Sequence, residues 1–130
     1  MALGMSTVLR NARLDAITTA IGNAGKLKLY NGSQPTTGGA ATTLLGTLVL
    51  GSPPAPTSVS GTLTFTAIAD VTAVASSTAT WGRFTNAADT QVADCTVGTS
   101  GTDVIIAGTS TITSGQTISV TAATITEGNA

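Results

Sequence analysis

The chain contains no histidine, which removes the commonest general base and the commonest metal ligand. No Ser-His-Asp or Cys-His arrangement can be assembled from these 130 residues. Cys95 is the only cysteine, so an internal disulfide is excluded, and without histidine it cannot complete the usual zinc ligand sets. Charged residues are 8% of the chain, against about 25% in an ordinary soluble domain. The five basic residues are scattered at Arg10, Arg13, Lys26, Lys28 and Arg83. A phosphate-binding face needs a cluster that releases several counterions. Lys26 and Lys28 share one strand face, but two lysines are no such cluster, and no nucleic-acid partner is expected. No apolar run approaches the ~20 residues needed to cross a bilayer as a helix, so no membrane partner is expected. The opening MALGMSTVLRN lacks a basic segment followed by an apolar one, so no signal peptide is read and synthesis in the cytoplasm is expected.

What the chain does have is 42% hydrophobic residues, enough for a single core. It also has 27 threonines, with serine, glycine and alanine filling much of the rest. Its formal net charge is −1. A polar but nearly uncharged surface gains little mutual repulsion between copies and favours association.

Ser6 to about Ile21 reads as the one helix, with Ser6 as N-cap. Leu14, Ile17 and Ile21 recur at helical spacing, Ala16 and Ala20 lie beside them, and Leu9 and Ala12 extend the stripe. Gly22, Asn23 and Gly25 stop it, since each tolerates a left-handed cap. Residues 1–24 are therefore an N-terminal helical arm and residues 25–130 a β-sandwich domain. Such a helix packs on its own core or docks on a neighbour. The first is preferred, because amphipathic helices usually pack at home.

Strands and turns follow. Lys26 to Tyr30 alternates as a half-buried strand, and Asn31-Gly32 suits a tight turn with positive φ. Ser33 to Thr43 is a Pro/Gly/Thr loop. Leu44 to Leu50 is an apolar strand, and the prolines between Gly51 and Pro56 make a stiff connection. Val59, Leu63, Phe65 and Ala67 alternate inward with a slip at Gly61. Val71 to Thr85 holds two strands or one long bent one. Thr80–Thr85, turning at Asn86–Asp89 into Gln91–Val97, is a hairpin. Asp103–Ala107 is short and apolar. The last strand, Thr117–Thr126, has Ile118, Val120 and Ala122 inward and a bulge near Ala122-Ala123. The expectation is a mainly β fold: an antiparallel β-sandwich or small barrel, jelly-roll or immunoglobulin-like, of seven to eight strands with one N-terminal helix.

No catalytic, cofactor-binding or metal-binding residue emerges. Cys95 is read as a small core residue. Asp89 and Asp103 fall in turns, where aspartate bonds its own backbone, and Asp70 resembles a strand-end residue. Asp15, Asp94 and Glu127 complete the acidic set with no glycosidase-like or calcium-loop spacing. Asn31-Gly32-Ser33 is formally a glycosylation sequon, better read as a turn. Trp81 and Phe84 are three apart on a strand and point to opposite faces. Core packing is the preferred fate of Trp81, and the other ring of the two is left exposed or under the helix. Four aromatic residues, Tyr30, Phe65, Trp81 and Phe84, are few for a sugar platform. Stretches such as Leu44–Leu50, Val71–Thr80 and Asp103–Val120 carry at most one charge each, so their edges lack the usual protection and are expected to be covered by a partner.

The segments LRNARLDAI (Leu9–Ile17), KLKLYNGSQPTTGG (Lys26–Gly39), LTFTAI (Leu63–Ile68), ATWGRFTN (Ala79–Asn86), VGTSGTD (Val97–Asp103) and SVTAATITEGN (Ser119–Asn129) together resemble a group of small β-rich virion structural proteins of tailed bacteriophages. The resemblance implies a place on a phage particle and transfers no catalytic residue. Size, neutral surface, absence of basic DNA-contacting residues and the extra helix then point to a capsid decoration (cement) protein. It would bind the outer surface of the major capsid lattice and stabilise the head. The alternatives are a tail, neck or baseplate component of the same virion, or a host-surface glycan-binding module. A homo-oligomer on the virion is expected, with the major capsid protein or other virion proteins as partners, and no cofactor, small-molecule substrate or enzymatic activity.

Overall fold

The computed structural model describes residues 4–36 and 38–127. Helix α1 spans Thr7–Ile21. The Ser6 side chain caps it by accepting the Leu9 N–H at 3.2 Å, satisfying a donor that has no partner inside the helix. It ends at Gly22, φ 65°, a conformation glycine enters without penalty. Leu14 and Ile21 are buried and Ile17 packs beside them, so the helix sits on its own core. Leu9, Ala12, Ala16 and Ala20, expected on or beside the buried stripe, are instead exposed. Both sides of this helix are apolar enough to face inward, and polar anchors decide between them. The Asp15 carboxylate accepts the Ser58 N–H at 2.8 Å. Asn11 Oδ1 accepts the Gly61 N–H at 2.8 Å, and Ser58 Oγ donates to the Asn11 carbonyl at 2.9 Å.

The strands are β1 (Lys26–Tyr30), β2 (Leu44–Val49), β3 (Thr62–Thr64), β4 (Val71–Thr72), β5 (Ser77–Thr78), β6 (Trp81–Thr85), β7 (Gln91–Gly98), β8 (Val104–Ile106), β9 (Thr111–Ile112), β10 (Thr117–Ile118) and β11 (Val120–Thr126). Seven of them form one curled sheet, an open half-barrel, in the order β2-β1-β6-β7-β8-β11-β3. The four short strands make two ribbons, β10/β4 and β5/β9. The segment Val71–Thr85 thus holds three strands in three different sheets.

The β6–β7 hairpin forms as the alternation predicts. The pairing of β7 with β8 does not, because it is parallel, Val97 beside Val104 and Gly98 beside Ile105. Parallel neighbours usually need a crossover of a dozen or more residues. Here a side-chain clasp replaces it. One Asp103 carboxylate oxygen accepts from both the N–H and the hydroxyl of Thr96, each at 3.1 Å, and Thr96 Oγ1 accepts the Asp103 N–H at 3.1 Å.

Register also departs from the expected alternation at two places. Val59 and Ala67 are exposed rather than inward. Val59 opens a two-residue turn in which Ser60 and Gly61 both have positive φ, 52° and 75°, and Val59 and Thr62 exchange backbone hydrogen bonds. In β11 the register shifts between Val120 and Ala122, slightly earlier than Ala122-Ala123. Ala123 is therefore buried and Ala122 exposed.

The concave face carries Leu27, Leu29, Leu48, Phe84, Cys95 and Val97, and Ile112 and Ile118 of the ribbons close over it. Phe84 stacks on Phe65 with centroids 4.6 Å apart and planes 6° apart. Between α1 and β1 the chain passes through Gly25. A Cβ there would lie 2.2 Å from Ile21 Cγ2 and 3.0 Å from the Thr85 carbonyl. Gly25→Ala is expected to cost about 2 kcal/mol, the usual range for overpacking a tight site, as a lower denaturation midpoint with an unchanged denaturant slope.

Candidate functional site

The convex face of the sheet holds the most organised polar group in the protein. Strand register places Lys28 opposite Arg83 and Arg83 opposite Asp94. Arg83 Nε and Nη2 donate to the two Asp94 oxygens at 2.7 and 3.0 Å, a bidentate pair of the strong kind. Nη2 also donates to the Gly39 carbonyl at 2.9 Å. The guanidinium lies 5.2 Å from the centroid of the Trp81 ring. The hydrogen bond to Asp94 holds Arg83 charged even more firmly than usual.

Trp81 and Phe84 do face opposite ways, but Trp81 is outside the main core cluster. It stacks on Tyr30 at 4.5 Å and 18° on the convex side. The 31–43 loop covers it, not the helix. Trp81 Nε1 donates to the Asn31 carbonyl at 3.0 Å and to Thr42 Oγ1 at 3.1 Å, and Thr42 Oγ1 in turn bonds Asn31 O. Asn31 is held at both ends of its amide, donating to Ser77 Oγ at 3.1 Å and accepting from Thr43 N at 3.0 Å. Its role is to close the loop.

Beside this cluster, Asp89 receives both Lys26 and Lys28 at 2.9 Å. The expected bonding of Asp89 to its own turn falls instead to Asn86, whose Oδ1 accepts from Ala88 N and Thr90 N. The hydrogen bonds from Lys28 and then Lys26 lower the Asp89 pKa below its ordinary 3.8. A carboxylate depressed in the folded state contributes stability that is complete above the unfolded pKa and lost as pH falls through the folded one. Asp89→Asn is therefore expected to narrow the gap between stability at pH 7 and at pH 3, and added salt is expected to shrink the difference from wild type at pH 7. Urea titrations at the two pH values check both.

At the helix, Arg13 pairs with Glu127 at 2.8 Å, and Arg10 donates to the Glu127 carbonyl and to Thr7 Oγ1. Every basic side chain of the chain therefore has an internal acceptor. Of the acids, only Asp70 makes no ion pair or hydrogen bond among the described residues. The scarce charges are spent inside the molecule, and the remaining surface presents hydroxyls, methyls and a few large apolar groups. Among the described residues, Val8, Leu9, Val49, Val59 and Val74 are the exposed large hydrophobics. Val8 lies on the helix stripe of Asn11 and Asp15, the side chains that dock the turn bearing Val59. Leu9, Ala12, Ala16 and Ala20 continue the uncharged surface along the outer side of α1.

Cys95 is buried, and burial, followed by the nearby Asp103 and Asp94 carboxylates, pushes its thiol far above the ordinary range. A thiol held protonated is a poor nucleophile. Among the described residues no group of three or more His, Cys, Asp or Glu side chains gathers as a metal site, and no helix is long and apolar enough to cross a membrane. A cleft of about 310 Å³ lies between Thr64–Ile68 and Val120–Ala123 and has no charged lining residue.

No family model, curated protein or solved structure matches the chain. The sequence named no site residues. The uncharged outer stripe of α1 was legible as the Ala12, Ala16, Ala20 recurrence, but nothing in the pattern said that it faces outward.

Proposed function

We propose that this chain is a non-enzymatic structural protein of a tailed-phage virion, a capsid decoration (cement) protein that binds the outer surface of the major capsid lattice and stabilises the head. The observation that carries the reading is that all five basic side chains are held by carboxylate, carbonyl or hydroxyl oxygens of the same chain, beside an outer helix side of Leu9, Ala12, Ala16 and Ala20. Alanine, threonine and valine lose little side-chain entropy on contact, unlike lysine or glutamate. Such a surface suits many weak, repeated contacts on a lattice. The resemblance of the quoted segments to small phage virion proteins points the same way.

In this reading the curled sheet and the two ribbons are the layers of a jelly-roll or immunoglobulin-like sandwich. Copies associate with one another and with the major capsid protein, and the protein works on the virion after synthesis in the host cytoplasm. The covering of Trp81 and Tyr30 by the 31–43 loop leaves no open aromatic platform, which weighs against the glycan-binding alternative.

The test is electron microscopy of particles incubated with the purified chain. Repeated density on the head lattice is expected, together with greater resistance of heads to heat. Density confined to the tail, neck or baseplate would move the protein there, and no added density on any particle would remove the reading. Ala16→Lys, which places a charge on the outer side of α1, is expected to abolish the head density while leaving the fold and its denaturation midpoint unchanged.

A further inference from the structure

The two edges of the seven-stranded sheet are unequally protected. The β3 edge is short and mostly covered: Thr66 N–H goes to the Pro54 carbonyl and Thr62 N–H to Val59, which leaves Thr64 alone between them turned outward. The β2 edge is longer and carries neither charge nor proline. Leu50 N–H donates to Gly25 O at 2.9 Å, so Leu48 and Leu50 aim their backbone groups at β1. Antiparallel alternation then turns the N–H and C=O of Thr47 and Val49 away from it. Val74 N–H takes the Leu45 carbonyl at 2.8 Å and guards only the start of β2. Among the described residues no hydrogen bond reaches Thr47 or Val49 from that side, and Val49 is 60% exposed.

We propose that β2 is a self-pairing edge: two copies of this chain join through antiparallel β2 strands, with Thr47 of each copy opposite Val49 of the other. This names the contact surface for the self-association in the reading above and rests on that part of it alone. A second copy fits better than any other occupant for three reasons. A strand related to itself by a two-fold axis is in register with its mate by symmetry, and here Thr47 and Val49 meet Val49 and Thr47, so four backbone hydrogen bonds form at once. Lys26 and Lys28, which register places beside Val49 and Thr47, are both held by Asp89, so each copy brings one net positive charge near the edge instead of two. The β3 edge offers one outward residue, Thr64, between covered neighbours, too little to take a further strand, so pairing stops at two copies and yields a dimer instead of an open fibre.

The contact is short, below the ~1,000 Å² of a stable interface, so the dimer is of the transient class with a Kd in the micromolar range or weaker. Sedimentation velocity on the full chain across a concentration series is expected to show a monomer–dimer equilibrium. Hydrogen exchange is expected to show protection at Thr47 and Val49 that grows with concentration. Thr47→Pro removes one outward N–H per copy and no bond to β1, and proline is tolerated on such edges. It is expected to raise Kd on the order of tenfold to a hundredfold with unchanged circular dichroism. Val49→Lys, a charge placed on the edge, is expected to do the same and serves if the proline variant fails to fold. A monomer at every concentration, or a dimer that survives both substitutions, overturns the proposal. Particle binding is a separate measurement, so self-pairing fails without touching the capsid reading if heads are decorated by monomers, and the reverse holds equally.

Discussion

Phe84→Ala is expected to lower the free energy of unfolding by about 4 kcal/mol, within the 3–5 kcal/mol range for truncating a fully buried phenylalanine. Phe84 has no exposed surface, sits opposite Leu27 in β1 and Ala93 in β7, and stacks on Phe65. The void would therefore open between the centre of the sheet and the segment after β3, where little can collapse into it. A domain of this size has roughly 5–15 kcal/mol of total stability, so the variant should be marginal at 37 °C. Equilibrium urea unfolding followed by Trp81 emission measures it, since Trp81 lies on the other face and its ring contacts remain. A loss below about 1.5 kcal/mol would mean that the concave face is not packed as described. Phe84→Leu should recover more than half of the loss.

Arg83→Ala is expected to cost about 3 kcal/mol, near the lower end for breaking a buried ion pair. The reason is the group left behind. The Asp94 side chain is only 6% exposed and loses both of its guanidinium donors, while the Gly39 carbonyl and the Trp81 ring lose theirs. The site lies beneath a loop rather than at the centre of the core, so water relieves part of the penalty. Replacing both partners, Arg83→Met with Asp94→Leu, should restore most of the stability, because matched apolar residues incur no desolvation of charge. The Trp81 emission maximum distinguishes the two cases. In Arg83→Ala the 31–43 loop loses its Gly39 anchor and the maximum should shift to the red. An unchanged maximum with full stability would show that the loop is held by Asn31 and Thr42 alone.

The parts of the fold that could be read from the sequence are those fixed by local chemistry. Ser6 caps a helix because its hydroxyl reaches an unpaired N–H three residues on. Lys26–Tyr30 alternates because a strand has two faces, and Asn86–Asp89 turns because the Asn86 side chain bonds the next residues' backbone. The opposed directions of Trp81 and Phe84 follow from the same period of two. The parts that could not be read depend on what arrives from elsewhere in the chain. The outward side of α1 was decided by Asn11 and Asp15 binding the turn at Ser58–Gly61, residues more than forty positions away. The exposure of Ala122 instead of Ala123 was decided by a one-residue shift in pairing with β8. The position of Trp81 was decided by a loop with no hydrophobic pattern.

The candidate contact surface divides in the same way. Composition alone determined that this chain has no histidine, only five basic residues and little charge to hold its copies apart, because those statements need only counts along the chain. Tertiary structure decided which of the remaining surface is left to touch a partner. It folded the few lysines and arginines onto their acceptors, covered most of the β3 edge with Pro54 and Val59, and left Thr47 and Val49 facing outward. Edges and neutralised charges are relations between residues distant in sequence, and they exist only once the chain has closed on itself.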